Sequence, residues 1–403
     1  MPVSGIQTTS NLSSARWAKY LPDYVRAAQF ERVYDAFAMG AVVPDERMSD
    51  LFRSSSINLQ FLSELEPGTA TIPETLDVSA SAMRDATFQI TPTSRFGLIE
   101  ASEALMNQSG TNYASERFYM LGKHHAMTLD LIANNLANQG GSVTRSAART
   151  SLDAGTAADR LTASVFTNAQ SILMDKQVPG FLDAGRLMWF AIMHPFAHAD
   201  LRADTPILTT GEYQKANIIL KHELGELGPF KIIVTPNAKV FYGGGAANGS
   251  AIETTLNGAV SALAKTVVVA ANTNIDVGDF VMIGTHETGD THYPTNERVQ
   301  VVSVNSTTIG VSGSGPNGGL RYDHAHGDAV SNDDSVASVT FGGPKSLAKV
   351  YDPMVGEYGE VLPPDRVGAL KHIFQLGWKW YGNYSRWNES YLLRREVSVS
   401  ADA

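Results

Sequence analysis

The chain has 403 residues, 43% hydrophobic and 18% charged, with a formal net charge of −10 and no cysteine. That length accommodates one sizeable core and at least one further domain, while the missing cysteines exclude disulfides, thiolate nucleophiles and cysteine metal sites. No basic stripe is present to grip a phosphate backbone, and no apolar run approaches the roughly 18 residues of a membrane span.

Residues 1–65 read as an arm. Tyr24 to Phe37 has amphipathic spacing, but Gly40, Pro44 and Ser54-Ser55-Ser56 keep interrupting, so this segment gains order by lying against something else. Its first residues, MPVSGIQTTSNLSS, have neither the basic region nor the apolar core of a secretory signal. Residues 66–97 read as a β hairpin, with Met83, Ala86, Phe88 and Ile90 in alternation. It is either a surface hairpin or a projecting one that touches a neighbouring molecule. Residues 98–107, LIEASEALMN, read as a short helix.

Thr111 to Asn138 is the most regular stretch. Ala114, Phe118, Leu121, Thr128, Ile132 and Leu136 recur three or four apart, widened by Tyr119, Met120, Met127 and Leu131. The pattern predicts a helix about 40 Å long with a broad apolar face. Asn112 is its expected cap and Gly140-Gly141 its end, and Gly122 inside it costs roughly 1 kcal/mol relative to alanine. Ala157 to Asp175 predicts a second helix, with Leu161, Val165, Ala169, Ile172 and Leu173 on one side. Leu187 to Met193 follows as a strand or buried element, Ala216 to Leu224 as a helix and Phe230 to Val234 as a strand. The alternation implies helices packed on a sheet.

Composition changes at Gly243-Gly244-Gly245. Valine-rich runs separated by Asn, Gly and Asp turns then fill residues 252–342, the pattern of a small barrel or sandwich. Residues 251–345 hold ten acidic side chains against Lys265, Arg298, Arg321 and Lys345. Helical spacing returns at Asp365 to Gln375, so the β module reads as an insertion into an α+β protein.

The chemistry-bearing residues are sparse. His194, His198 and Asp200 have ligand-type side chains, as do Asp323, His324, His326 and Asp328, but neither group offers a complete first shell for zinc. His222-Glu223 begins like a zinc-protease helix, yet Glu226 occupies the place of its second histidine. No phosphate loop, dinucleotide fingerprint or nucleophile elbow is present. No catalytic residue, cofactor or metal is expected. The aromatic tail holds Trp378, Trp380, Trp387, Tyr381, Tyr384 and Tyr391, which make either a core strand pair or a contact surface. Trp17, Met83 and Phe88 join Trp378, Trp380, Trp387 and Tyr391 as candidate contacts between subunits.

The order of elements resembles the major capsid proteins of tailed bacteriophages with the Hong Kong 97-type fold, and most closely the N4-like podophage coats. The stretches that carry the likeness are TTGEYQKANIILKHELGELGPFKIIVTPNAKVF (209–241) and GWKWYGNYSRWNESYLLRREV (377–397). TVVVAANTNIDVGDFVMIG with GLRYDHAHGDAV resembles β modules inserted in such coats. The resemblance implies an arm at 1–65, a projecting hairpin at 66–97 and a peripheral domain with its spine helix at 98–181. An axial domain follows at 182–251 and 343–364, interrupted by a β domain at 252–342, with a carboxyl-terminal return at 365–403. It further implies hexamers and pentamers enclosing double-stranded DNA without tight binding, virion localisation after assembly in the host bacterial cytoplasm, and portal, scaffold and decoration proteins as partners. No membrane is involved. The competing classes are an encapsulin-like nanocompartment shell, a surface carbohydrate-binding β-domain protein and a metallohydrolase.

Some coats of this type condense a hairpin lysine with an asparagine on a neighbour. No lysine lies between Lys19 and Lys123 here, so the hairpin lacks that nucleophile. Assembled material boiled in detergent is expected to run at the monomer mass, and a ladder of covalent multimers would refute this.

Overall fold

The computed structural model describes residues 45–47, 57–62, 85–104, 113–140, 142–152, 156, 158–183, 185–204, 225–242, 252–285, 293, 295–332, 335–344, 346–352, 359–367, 372–386 and 388–399. They fall into two compact units, one built mainly on Asp45–His125 and Ala348–Ser385, the other on Ala126–Leu347 and Arg386–Ala403. The main helices are α1 (Tyr113–Asn138), α2 (Ala163–Asp175) and α3 (Pro195–Ala203). The boundary between the units falls inside α1.

In the first unit the long strand Ile373–Arg386 pairs with Glu360–Val367 on one side and with Thr93–Ser102 on the other. Leu347–Tyr351 and Asp45–Arg47 continue the sheet. Trp378, Trp380 and Tyr384 are two or four residues apart and share one buried face, while Lys379 between them is exposed. Trp378 lies opposite Gly97 in the register, and a Cβ at 97 would overlap its indole nitrogen. Glycine is therefore required there by close approach. A separate antiparallel pair joins Ile57–Leu62 to Asp85–Ile90, so the hairpin's first strand falls within the segment read as arm.

Two helix expectations fail over part of their length in this unit. Residues 98–102 extend the strand Thr93–Ser102, and residues 365–367 and 373–375 belong to Glu360–Val367 and Ile373–Arg386. In both, long-range pairing in one ladder overrides local helical spacing. The expected helix at Ala216 to Leu224 lies outside the described residues.

The second unit is centred on a sheet ordered Val143–Thr144, Leu392–Ser398, Ser335–Gly342, Arg186–Met193, Phe230–Val234 and Glu226–Leu227. Val240–Tyr242 also pairs with Ser335–Gly342. Strand alternation sends Ala337, Val339 and Phe341 to one face beside Leu393 and Val397. Onto this face α2 delivers Val165, Phe166, Ala169 and Leu173. Phe166 meets Phe230 and Phe341 edge-on at 5.6 and 5.2 Å between ring centroids, a favoured aromatic geometry. The helix begins at Ala163 rather than 157, because Thr156–Asp159 forms a turn whose Asp159 carbonyl accepts from Ser398 N–H. Asp204, after α3, accepts from the free Ala163 N–H at 2.7 Å.

The β module is an antiparallel sheet ordered Glu253–Thr255, Ala329–Asn332, Phe280–Gly284, Glu297–Asn305, Thr308–Ser312 and Thr266–Val268. A bridge between Leu256 and Val269 joins the two ends of that order, closing a small barrel. Leu256, Val267, Val281, Ile283, Ile309 and Val330 fill it completely buried. The module ends at Asn332, ten residues before the expected boundary at 342. Ser335–Gly342 is instead a central strand of the large sheet, with Val336 to Gly342 buried on both faces. Its sequence, SVASVTFG, is valine-containing and alternating like the barrel strands, which is why composition placed it with the barrel.

Replacing residues 253–332 by a short Gly-Ser linker is expected to leave the remaining chain folded, with a cooperative thermal transition and its near-ultraviolet tryptophan signal intact. An unfolded product would show that the barrel belongs to the main core.

Candidate functional site: a buried polar seam and an open sheet edge

The packed face of α1 differs from the apolar stripe read in the sequence. Tyr119 and Met120 are exposed and Ile132 and Leu136 half-buried, whereas Ala126, Asp130, Ala133, Asn134, Ala137 and Asn138 are buried. The alanines leave room for the polar side chains, which recur every fourth residue and so share one face.

Those side chains form a directed relay. Ser338 Oγ donates to Asn138 Oδ1 at 2.6 Å, and Asn138 Nδ2 donates to Asn134 Oδ1 at 2.7 Å. Asn134 Nδ2 donates to the Asn237 carbonyl, and Asn237 Nδ2 donates to Asp130 Oδ2 at 2.6 Å. The bonds through the Asn138 and Asn134 side-chain amides polarise one another, and Asn237 ties the run to Asp130 with its backbone carbonyl and its side-chain amide. The sheet face carrying Ser338 is thus polar where the opposite face is aromatic.

Glu396 lies opposite Ser338 in the register and is 0% exposed. Arg145 Nε meets its Oε2 at 2.6 Å, Arg149 Nη2 its Oε1 at 2.7 Å and Arg394 Nη2 its Oε1 at 3.2 Å. Burial pushes this carboxyl up, but hydrogen bonds from Arg149 and Arg145, with the charges of Arg149 and Arg394, outweigh it and hold the group below the usual range. The Arg149 guanidinium also covers the Phe241 ring at 3.8 Å. A depressed carboxyl contributes stability above the unfolded value and loses it as pH falls through the folded one.

In the first unit His125 packs against Trp378 with ring centroids 4.2 Å apart. Burial, then the charges of His124 and Lys349, push this imidazole down to about 3.

The histidines singled out as ligand candidates have local partners. His194 caps α3, its Nδ1 accepting from Phe196 N–H at 3.3 Å, with Pro195 at the first helical position. Burial, then Arg202, lowers the His198 pKa. His324 Nε2 lies 2.9 Å from Glu297 Oε1, and that carboxylate also accepts from the Arg321 and Tyr322 N–H groups. Among the described residues no group of three or more His, Asp or Glu side chains is placed to hold a metal ion.

The strand Thr93–Ser102 pairs on one side only among the described residues. It exposes Phe96 by 76% and Leu98 by 52%. An unpaired strand edge with exposed apolar side chains is a template for another chain. Leu98 was missed because 98–107 reads as a helix, and Phe96 because it sits at the end of the stretch read as a hairpin, apart from the residues in alternation there. An alternation of Phe96, Leu98 and Glu100 against Gly97, Ile99 and Ala101 was the available signal.

The named contact candidates separate. Trp378 and Trp380 are each 1% exposed and fill the first unit's own core, which corrects their assignment to a contact surface. Tyr391 is half-buried against the aromatic core of the second unit. Phe88 lies opposite Leu59 in the hairpin ladder, its side chain outside the described ones, and Trp17, Met83 and Trp387 lie outside the described residues.

No family model and no curated protein matches the sequence. Solved structures do match. The capsid asymmetric unit of cyanophage Pam1 aligns with a TM-score of 0.51 at 10% identity, over 91% of this chain and 93% of that one. The capsid of Ralstonia phage GP4 aligns with a TM-score of 0.50 at 11% identity, over 89% and 87%. At this identity the likeness is one of fold, and the architecture is the mixed α/β Hong Kong 97-like fold.

Two outcomes follow for the buried groups. Glu396→Gln removes the counter-charge of the buried Arg394 and the half-buried Arg149 and is expected to cost about 3–5 kcal/mol in urea unfolding; a loss within experimental error would show the arginines are satisfied elsewhere. His125 takes up a proton near its ordinary 6.5 only when unfolded. Its contribution is therefore complete above that value and is lost as pH falls toward 3. Between those limits the parent should lose Tm faster than a His125→Gln variant, whereas parallel curves would contradict a neutral buried imidazole.

Proposed function

We propose that the chain is a coat protein that assembles with copies of itself, as hexamers and pentamers, into an icosahedral phage shell around double-stranded DNA. The observation that carries the reading is agreement of fold with phage capsid structures over about nine-tenths of the chain. Fold alone does not fix function, so a second support matters: a strand edge, open among the described residues, that bears exposed Phe96 and Leu98. The acidic balance suits a container that must not grip its contents. The placement nearest the N4-like podophage coats rests on the text of 209–241 and 377–397. The hairpin Ile57–Leu62 with Asp85–Ile90 is the element we assign to reaching a neighbouring subunit. Portal, scaffold and decoration proteins are the partners this role calls for, with assembly in the host cytoplasm and residence in the virion.

Electron microscopy of the purified protein tests the role. Icosahedral particles or capsomer-sized rings are expected, and a monodisperse monomer at all concentrations and salts would sink it. The double variant Phe96→Ser with Leu98→Ser alters exposed side chains whose folding cost is within about 0.5 kcal/mol each. It should fold with a parent-like melting curve yet lower the yield of particles; an unchanged yield would remove this edge from the contact surface.

A further inference from the structure

The sequence contains the Asn–Gly pairs Asn248–Gly249, Asn257–Gly258 and Asn317–Gly318, the first outside the described residues. Asparagine followed by glycine is the pair in which the next backbone nitrogen meets least hindrance in reaching the side-chain amide. Asn257 and Asn317 are both exposed, so exposure does not separate them. Their backbones do. The turn holds Asn317 at φ 58° and ψ 21°, and Gly318 N–H donates to the Gly315 carbonyl at 3.1 Å. The nitrogen that would attack is tied into the turn. At the other pair, Asn257 N–H is anchored to the Val268 carbonyl at 2.8 Å, but among the described residues Gly258 N–H meets no acceptor. Gly258 has φ +137°, and no atom lies within 4 Å of where its Cβ would stand.

We propose that Asn257 is a spontaneous modification site on the β barrel, converted to aspartate and isoaspartate through attack by Gly258 N. In the first step the Gly258 nitrogen bonds to Asn257 Cγ and the Cγ–Nδ2 bond breaks. Solvent base takes the Gly258 proton, a proton is returned to the departing nitrogen, and ammonia leaves a five-membered imide. Water then adds to either imide carbonyl and the ring C–N bond to that carbonyl opens, freeing the side-chain carboxyl (aspartate) or the former backbone carboxyl, in which case the chain continues through Cβ and Cγ (isoaspartate). No oxidant or reductant takes part.

Location gives the reaction a consequence. Asn257 directly follows Leu256, which is completely buried in the barrel and forms the Leu256–Val269 bridge that closes it. Isoaspartate adds one carbon to the main chain just past that bridge and one negative charge to a segment already rich in acids. Of the two described pairs, the one at the closure of the barrel is therefore the one that ages.

The test holds the 403-residue chain at mildly alkaline pH and follows tryptic peptides by mass spectrometry. Fragmentation must separate Asn248 from Asn257, because both lie between Lys239 and Lys265. The expected result is conversion at Asn257 about an order of magnitude faster than at Asn317 in the folded chain, with isoaspartate among the products. Unfolding in urea should bring the two rates together. Asn257→Gln should abolish the acidification assigned to that position. Equal folded rates, faster conversion at Asn317, or no conversion at Asn257 would each overturn the proposal.

Discussion

The second unit depends on an asymmetry between the two faces of one strand. Ser335–Gly342 points Ala337, Val339 and Phe341 into an aromatic core and Ser338 and Thr340 into a buried polar layer. The aromatic face supplies the non-directional burial that holds helix on sheet. The polar face adds direction, because each hydrogen bond from Ser338 through Asn138, Asn134 and Asn237 to Asp130 is satisfied at one helix position only. Sliding α1 by one residue would bury several unpaired amides at about 1–3 kcal/mol each. Apolar packing alone tolerates such slips far better.

The same division governs which parts are autonomous. The barrel of residues 253–332 closes on itself and fills its own interior, with its first and last strands in the sheet order joined at Leu256–Val269. The large sheet needs chain from far apart in sequence: Arg186–Met193, Ser335–Gly342 and Leu392–Ser398 lie side by side. An insertion between Val240–Tyr242 and Ser335–Gly342 is tolerated because both flanking strands remain paired to each other across it. Loop-closure entropy grows only slowly with the length inserted.

Much of the fold was legible in the sequence where local pattern and tertiary use agree. The long helix, the helix ending at Asp175, the strands at Leu187 to Met193 and Phe230 to Val234, and the β module all follow from periodicity. Failures occur where partners are distant. LIEAS at 98–102 and the residues 365–367 have helical spacing but are held as strands by one shared partner, Ile373–Arg386. The packed face of α1 was misread because a hydrophobic-stripe argument cannot see that Asp130, Asn134 and Asn138 have acceptors and donors waiting on the sheet. Trp378 and Trp380, read as either a core strand pair or a contact surface, take the core side of those alternatives. Leu98 was hidden by the helix assignment that split the strand Thr93–Ser102 between two readings.

The account rests on the polar seam acting as a coupled unit rather than as a set of tolerated buried groups. A double-mutant cycle on Asn138→Ala and Ser338→Ala, read by urea unfolding, measures this directly. The seam predicts a coupling energy of about 1–2 kcal/mol between the two positions. Strictly additive effects would contradict it and leave the aromatic face as the sole determinant of how α1 is placed.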